Sequence, residues 1–398
     1  MRSWLPVVLA AGLALPWMVL RLAGYHGPPP IIALLSGLAI VGAAFLLSWA
    51  AEVAQLEISQ ALAVAVLSLI AILPEYAVDM YFAYRAAQDP TYAPYAVANM
   101  TGANRLLIGV GWSLVVFLFW WRTRQRAVQL HEDEGLELGT MGLATLYAFT
   151  IPLKGYISLL DAAVLVGLFG LYAWSTSRHP PEEPELVGPA ATIGRLPRGP
   201  RRAATVALFL YAAVAILASA EPFAEGLVES GKLLRIDEFL LVQWLAPLAS
   251  ETPEFIVVTL FVLRGFPNLG LRAMLSSKVN QWSLLVGMLP LVYTVGLGHV
   301  APLPLDARQV EEVLLTAAQS IFAVALLANR SFSLGGALLL FVLFALQLVF
   351  PETRHIMTLV YLGLTAALLL GDRKRLVNFV RLPRHLFEPI TGRRYPEQ

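Results

Sequence analysis

Carboxylates stand inside two long apolar stretches of this chain, and in each stretch a glutamate directly follows a proline. The first pair is Pro74-Glu75 and the second is Pro253-Glu254. A carboxylate at bilayer depth costs several kcal/mol unless it has a partner. A proline inside a helix removes a backbone hydrogen bond and frees a carbonyl oxygen. Both are hard oxygen ligands of the kind that Ca²⁺ prefers, so the pattern predicts one shared cation site.

A second pair of matched positions lies in the stretch that follows each Pro-Glu. The first half reads NMTGANRLLIGVG and the second reads LSSKVNQWSLLVG, which aligns Asn104 with Asn280 and Gly111 with Gly287. This shared order predicts an internal repeat whose two copies build one site. The alternative for the asparagines and serines is hydrogen bonding between helices, which is the favoured interpretation for the serines. The candidate cation-binding residues, with Glu75 and Glu254 as the central metal ligands, are Glu75, Glu254, Asn99, Asn104, Asn280, Glu251, Thr252, Ser250, Ser276 and Ser277.

Two further acids lie close to these glutamates in the sequence. Asp79 comes four residues after Glu75, and Glu251 comes three residues before Glu254. Residues three or four apart share one face of a helix. Each half therefore offers two carboxylates on one face. The four carboxylates of the two halves together carry more negative charge than one divalent cation needs.

Two basic residues, Arg105 and Lys278, lie in the stretches that carry the asparagines and are predicted to act in charge coupling. In one arrangement each pairs with an acid, which leaves two carboxylates for the cation. In another, Arg105 lies at a helix end and reaches the membrane surface. Lys278 is either a group that releases its proton when a cation binds or a fixed counter-ion. We expect it within salt-bridge distance of one of four acids, which are Glu75, Asp79, Glu251 and Glu254.

Composition sets the class of protein. The chain has 398 residues, 58% hydrophobic and 14% charged, whereas soluble domains carry about 25% charged residues. The net charge of +1 gives no indication of nucleic-acid binding, and the absence of cysteine excludes disulfides and thiolate sites. No phosphate-binding GxxxxGK[ST] loop occurs, so no nucleotide is expected. The expected partners are inorganic cations and the lipid bilayer, with no cofactor other than transported Ca²⁺, Na⁺ or H⁺.

The acidic stretch 131–134 is interpreted as a solvated charge run, with a regulatory Ca²⁺ loop as the alternative.

About twelve apolar runs are long enough to cross a bilayer, which takes roughly 20 residues. They predict an all-α polytopic membrane protein, because lipid-exposed backbone must satisfy its own hydrogen bonds. With twelve spans the basic segments 122–126, 195–202 and 373–384 fall on one side, which places both termini in the cytoplasm. We expect a prokaryotic plasma membrane. The predicted spans are 4–24, 31–51, 59–85, 95–121, 138–153, 156–175, 204–221, 238–263, 271–297, 310–328, 332–350 and 355–371.

The linker around residues 177–203 is rich in proline and charge and divides the chain into two halves. Each half has five spans, and an odd number predicts that the second half enters the membrane inverted. The predicted organisation is an extra N-terminal helix (1–30), a first inverted repeat (31–176), the cytoplasmic linker (177–203), a second inverted repeat (204–350), and an extra C-terminal helix with a basic tail (351–398).

At these motifs the chain resembles the cation/Ca²⁺ antiporter superfamily, whose best-known members are the sodium/calcium exchangers. That family has two inverted repeats, each with a Pro-Glu motif followed by a G-[ND]-x-x-G-S-N motif. The resemblance implies exchange of Ca²⁺ for Na⁺ or H⁺ at a midplane site, by sliding or rocking of a two-helix unit. The matching residues are Pro74, Glu75, Pro253, Glu254, Asn99, Gly102, Asn104 and Asn280.

The chain departs from the family pattern at several ligand positions. Residues 71–73 replace the family's Gly-Thr-Ser before the first Pro-Glu, and Leu275 and Lys278 replace the acid or amide and the glycine of the second motif. The missing ligands favour H⁺ as the counter-ion, whereas the family favours Na⁺. The predicted function is secondary antiport of Ca²⁺ against Na⁺ or H⁺, and not catalysis. The alternatives are H⁺-coupled exchange of another cation, and a channel, a non-transporting sensor or an enzyme on the same fold.

Overall fold

The computed structural model describes residues 4–58, 72–131, 134–178 and 186–387, and within them the chain is almost entirely helical. Its α-helices are α1 (Leu5–Leu22), α2 (Pro29–Ala54), α3 (Leu73–Gln88), α4 (Ala93–Leu106), α5 (Ser113–Thr123), α6 (Gly135–Ala148), α7 (Thr150–Lys154), α8 (Leu159–Thr176), α9 (Gly188–Gly194), α10 (Arg198–Leu234), α11 (Glu238–Arg264), α12 (Pro267–Asn280), α13 (Val286–Leu297), α14 (Ala307–Leu327), α15 (Leu334–Val349), α16 (Arg354–Gly371), α17 (Arg373–Arg381) and α18 (Arg384–Phe387).

The strands are very short and join helix ends. β1 (Ala127–Gln129) pairs antiparallel with β4 (Ser331–Ser333), and β2 (Tyr156–Ile157) pairs antiparallel with β3 (Leu303–Pro304). Gly155, which ends α7 just before β2, has φ 73°. This left-handed conformation suits glycine and produces the turn that the sequence predicts at residues 154–155.

The fold is that of an all-α polytopic membrane protein. In the described part of the chain, nine helical segments are long and apolar enough to cross a bilayer. The other three predicted spans contain α3, the pair α12 and α13, and the shorter apolar helix α15. The predicted span 59–85 overlaps residues 59–71, which lie outside the described residues. The nine segments are Leu5–Leu22, Pro29–Ala54, Pro90–Thr123, Gly135–Lys154, Leu159–Thr176, Arg198–Leu234, Glu238–Arg264, Ala307–Leu327 and Pro351–Gly371.

The chain forms two compact units. Unit 1 comprises Met1–Asn99 and His179–Val257, and unit 2 comprises Met100–Arg178 and Val258–Gln398. The divisions fall inside α4 and inside α11, so each of these two helices contributes to both units. Each unit thus draws on both halves of the sequence.

In unit 1, small residues let α1, α2 and α10 approach one another closely. A Cβ on Gly42 would lie 2.3 Å from the carbonyl oxygen of Ala10, and one on Gly226 would lie 2.9 Å from the backbone nitrogen of Ala33. Side chains such as Trp17 fill the core between these helices. Small residues at helix contacts are the usual way to pack helices in lipid, where apolar burial gives no net driving force.

In unit 2, α14 is the central helix, and nearly every residue after its first turn is buried. Short π-helical segments interrupt the two helices that follow the Pro-Glu motifs, at Leu107–Trp112 and at Gln281–Leu285. A Cβ on Gly109 would lie 2.3 Å from the Phe344 ring, and one on Gly287 would lie 2.9 Å from Val166. These glycines therefore permit close helix packing. The two π segments lie at matching positions of the two halves, so the sequence repeat is also a repeat of backbone structure. Such segments frequently occur at functional sites.

The two Pro-Glu motifs differ in backbone structure. α3 begins at Leu73 with Pro74 in its first turn, whereas α11 continues unbroken through Pro247 and Pro253. The second Pro-Glu therefore lies inside a continuous helix and the first lies at a helix start. Hydroxyl groups on α11 donate to nearby carbonyls of the same helix, since Ser250 donates to Ala246 and Pro247. The carbonyls that Pro247 and Pro253 leave without an amide donor are a different pair, those four residues before each proline, at Gln243 and Ala249.

Candidate functional site

Three glutamates of unit 1 meet at one point. One carboxylate oxygen each from Glu75 on α3 and from Glu251 and Glu254 on α11 lies within 4.8 Å of the others. Two ligands on opposite sides of a Ca²⁺ ion, each at about 2.4 Å, are about 4.8 Å apart. Glu75 and Glu251 are buried and Glu254 is partly buried. The spacing and the charge of this carboxylate triad fit a divalent cation.

The helices place these carboxylates for simple geometric reasons. Glu251 and Glu254 are three residues apart, so α11 presents both on one face. Glu75 lies in the first turn of α3, at the end of the helix dipole that favours negative charge. α3 is tied to α10 through Glu225, which accepts hydrogen bonds from the hydroxyl groups of Tyr81 and Tyr92. These bonds hold the helix that carries Glu75 against α10.

Asp79 and Asn99 form a second buried group in unit 1. Asn99 Nδ2 donates to Asp79 Oδ1 at 2.8 Å, and both side chains are at most 1% exposed. Asp79 lies one turn after Glu75 on α3. Among the described residues, no hydrogen bond reaches Glu75 Oε2, Asp79 Oδ2 or Asn99 Oδ1, although all three oxygens are buried. Buried oxygens without donors are rare in proteins and point to a ligand.

Thr252 differs from the glutamates on either side of it. Its hydroxyl donates to the carbonyl of Leu248 on its own helix, and its side chain is more exposed than that of Glu251. The hydroxyl of Ser250 is likewise directed to carbonyls of α11. The structure therefore brings together Glu75, Glu251 and Glu254, and it directs these two hydroxyl protons to the backbone.

Lys278 and Asn104 form the centre of the polar group in unit 2. Lys278 Nζ donates to Asn104 Oδ1 at 2.7 Å and lies 4.4 Å from the centre of the Trp282 ring. Asn104 Nδ2 donates to the carbonyl of Met100 at 2.8 Å. An ammonium group thus holds the amide oxygen that the repeat pattern offers to a cation. The expected approach of Lys278 to an acid stays a prediction.

The other candidate ligands of unit 2 lie along α12. Asn280 is buried, and Ser276 and Ser277 are partly buried. Ser276 Oγ lies 2.6 Å from the hydroxyl of Tyr172 on α8. Ser276 is thus engaged by a second hydroxyl group one turn before Asn280.

Arg105 is an internal residue. It is 1% exposed, so the interpretation that it reaches the membrane surface is wrong. Its Nη2 lies 2.5 Å from Glu312 Oε2 on α14, and its Nη1 donates to Gln347 Oε1 at 3.2 Å. The second oxygen of Glu312 lies 3.0 Å from Arg354 Nε, within ion-pair distance. Glu312 is the buried acid of this network.

Sequence reasoning missed Glu312 as well as Glu137 and Glu134, which are also buried. The signal for Glu312 was a carboxylate near the start of a predicted span, of the same kind that identified Glu75. Glu134 belongs to the acidic stretch that was interpreted as solvated. That interpretation is wrong for Glu134, which is only 2% exposed, and residues 132–133 lie outside the described residues.

Comparisons with known proteins agree with this arrangement of helices. The model of the family described as sodium/calcium exchanger protein matches residues 29–177 and 204–351. Among solved structures, the H⁺/Ca²⁺ exchanger CAX is 46% identical, covers 98% of this chain and 99% of its own, and superposes with a TM-score of 0.91.

Two further structures are similar in fold alone. The sodium–calcium exchanger NCX_Mj soaked with 10 mM Na⁺ and zero Ca²⁺ is 16% identical, with 81% of this chain and 98% of its own covered and a TM-score of 0.54. Native YfkE is 13% identical, with 91% of this chain and 99% of its own covered and a TM-score of 0.61. No curated protein matches the sequence.

Proposed function

The chain belongs to the sodium/calcium exchanger protein family, and from that premise we propose that it is a secondary antiporter that exchanges Ca²⁺ for H⁺. The observation that carries the proposal is the carboxylate triad of Glu75, Glu251 and Glu254, whose oxygens lie within 4.8 Å of one another. The similarity to the H⁺/Ca²⁺ exchanger CAX supports the choice of ions. In this function the protein is a transporter and not an enzyme, and Ca²⁺ is its cargo.

Ca²⁺ fits the site because of the kind and number of its oxygens. Ca²⁺ takes 6–8 oxygen ligands in flexible geometry, and carboxylates and amide carbonyls are typical donors. In unit 1 the triad supplies three carboxylates. Buried oxygens of Asp79, on α3 with the first Pro-Glu, and of Asn99, on α4, are also available. Within unit 1 the hydroxyl group of Thr252 is a further candidate. The candidates of unit 2, taken by themselves, are Asn280, Ser276 and Ser277 on α12.

H⁺ fits as the counter-ion because protons and Ca²⁺ neutralise the same oxygens. When Ca²⁺ leaves, three carboxylates this close together repel one another, and bound protons remove that repulsion. Lys278 holds the Asn104 oxygen that a Na⁺ ion would otherwise use. This contact favours H⁺ over Na⁺ as the counter-ion. Na⁺ is the second candidate, because the chain belongs to the sodium/calcium exchanger protein family.

The proposed topology follows from the basic segments on one side of the twelve spans. It places the linker 177–203 and both termini in the cytoplasm, with the protein in a prokaryotic plasma membrane. We further propose that residues 31–176 and 204–350 are the two inverted repeats, with 1–30 and 351–398 as additions. The two segments matched by the family model, 29–177 and 204–351, support these limits.

The test is ⁴⁵Ca²⁺ uptake into proteoliposomes with an imposed pH gradient or an imposed Na⁺ gradient. We expect uptake driven by the pH gradient and none driven by Na⁺ alone. Glu75→Gln and Glu254→Gln should each abolish it, because an amide keeps the shape but loses the charge. Glu229→Gln is the matched control, since Glu229 is an exposed glutamate of unit 1 paired with Lys232. Uptake driven only by Na⁺ would replace H⁺ in the proposal, and full uptake by Glu75→Gln would remove the site.

A further inference from the structure

Three polar side chains of unit 2, none of them part of the carboxylate triad, form a continuous chain. The hydroxyl of Tyr172 donates to Glu137 Oε1 at 3.4 Å and lies 2.6 Å from Ser276 Oγ. Glu137 is 1% exposed and Tyr172 is 6% exposed. The three residues come from three helices, namely α6, α8 and α12. A buried carboxylate is costly in a membrane protein and usually marks a functional path.

The outer end of this chain lies where charged groups collect. Arg272 Nε on α12 lies 3.6 Å from Glu137 Oε1 and is partly exposed. Glu134 stands just before α6, and the His385 ring packs against Gly135 at the start of the same helix. Glu137 therefore faces one arginine directly and has one acid and one histidine near its helix end. Arg272 gives this end contact with solvent.

The inner end of the chain leads to the cation-binding helix. Ser276 and Asn280 are four residues apart on α12, so they share a face and differ by about 6 Å in height. Lys278 lies between them in sequence and contacts Asn104. The chain thus joins a solvent-accessible arginine–glutamate pair to the turn of α12 that carries the candidate ligands of the second repeat.

The hydrogen bonds define a direction for proton movement. A tyrosine hydroxyl has one proton. If Tyr172 donates it to Glu137, the bond to Ser276 must be donated by the serine. A proton that arrives at Ser276 then displaces the serine proton to Tyr172, and the Tyr172 proton moves to Glu137. One proton enters and one reaches the carboxylate, and the hydroxyl groups are restored. Rotation of both hydroxyls allows the reverse movement.

We propose that Glu137, Tyr172 and Ser276 form a proton relay between the surface at Arg272 and the turn of α12 that carries Lys278 and Asn280. The relay rests on the proposed Ca²⁺/H⁺ exchange and gives it a route for protons through side chains other than the carboxylate triad. It requires groups that both donate and accept protons. Tyr172→Phe would keep the ring packing and remove the hydroxyl, which breaks the relay. Glu137→Gln would remove the carboxylate that receives the proton, which breaks it as well.

The experiment compares two transport modes in proteoliposomes that hold Tyr172→Phe, Glu137→Gln or the wild type. Uptake of ⁴⁵Ca²⁺ driven by a pH gradient needs net proton movement. Counterflow, in which ⁴⁵Ca²⁺ exchanges for unlabelled Ca²⁺ at equal pH, needs none. We expect each variant to lose about tenfold or more of the gradient-driven rate, as for loss of a positioned proton-transfer group, and to keep wild-type counterflow. Tyr211→Phe is the control, because it removes a tyrosine hydroxyl that only binds the carbonyl of Ala11 in unit 1.

The two modes separate the possible failures. Equal loss of both modes in Tyr172→Phe and Glu137→Gln would assign these residues a structural role and overturn the relay. Wild-type rates in both modes would overturn it as well. If the wild type shows counterflow but no uptake driven by pH, H⁺ coupling itself is wrong and the relay falls with it. Absence of Ca²⁺ counterflow in the wild type would instead refute the proposed Ca²⁺ transport.

Discussion

Lys278 Nζ lies 2.7 Å from the side-chain oxygen of Asn104, and both residues are fully buried in unit 2. The repeat places Lys278 opposite Gly102, so one half of the chain has a fixed ammonium group where the other half has no side chain. The backbone carbonyl of Asn104 lies 3.4 Å from the same nitrogen. An ammonium group at these distances carries the charge of a monovalent cation and contacts oxygens of the kind that such a cation binds.

Removal of this ammonium group should make transport sensitive to Na⁺. In Lys278→Gly, which restores the residue at the matched position, the two oxygens of Asn104 become available to Na⁺. We expect external Na⁺ to alter ⁴⁵Ca²⁺ uptake by the variant and not by the wild type, and the transport current under a clamped potential to change. Lys278→Arg keeps the charge and is the control. If Na⁺ leaves Lys278→Gly as insensitive as Lys278→Arg, Lys278 does not stand in for a cation.

The Asp79–Asn99 pair allows a test of whether charge or position matters near the triad. Asp79→Asn removes one buried carboxylate and should weaken Ca²⁺ binding by about tenfold, or roughly 1.4 kcal/mol. The double variant Asp79→Asn with Asn99→Asp returns one carboxylate and one amide to the same hydrogen-bonded pair. We expect it to recover most of the affinity in isothermal titration calorimetry. Wild-type affinity in Asp79→Asn alone would show that this carboxylate plays no part.

Much of the site could be predicted from the sequence because its elements are local. Glu75 and Glu254 were found as acids inside apolar stretches, and helix periodicity added Glu251 to the same face. Span limits followed from hydrophobic length, which the bilayer fixes. The repeated order of Pro-Glu and asparagine related two parts of the chain that no local rule connects.

The rest depended on contacts between residues far apart in sequence. Arg105 and Glu312 are 207 positions apart, and no periodicity relates them. The same is true of Lys278 and Asn104, so the sequence offered Asn104 as a ligand without showing which group already holds its oxygen. α11 continues through Pro253, and an internal proline in the sequence does not show whether a helix ends or continues there. Tertiary structure decides these points.

The Arg105–Glu312 contact should stabilise unit 2. Removing one partner of a buried ion pair costs about 3–5 kcal/mol, because the other charge stays buried. We therefore expect Glu312→Gln to lower the thermal unfolding midpoint of the detergent-solubilised protein. Glu311→Gln is a close control, since Glu311 is the adjacent residue, is half exposed and lies 3.7 Å from Arg354. Exposed pairs contribute about 0–1 kcal/mol, so equal midpoints for the two variants would contradict a stabilising role for the buried pair.

Glu57 should give unit 1 a stability that depends on acid pH. It follows α2, and its carboxylate accepts hydrogen bonds from Arg201 and from Arg202, which lie in the first turns of α10. These bonds lower the pKa of Glu57 from its usual 4.5, and the bond from Arg201 has the larger effect. The unfolded chain then binds more protons between the two pKa values, so stability rises with pH in that window. The contribution is fully present above about pH 4.5 and is lost as the pH falls through the lower, folded pKa.

We expect the thermal midpoint of wild type to exceed that of Glu57→Gln at pH 6, with the difference shrinking towards pH 3. Arg201→Met should show part of the Glu57→Gln effect, because Arg202 still donates to the carboxylate in that variant. A difference between wild type and Glu57→Gln that stays constant from pH 6 to pH 3 would contradict this linkage.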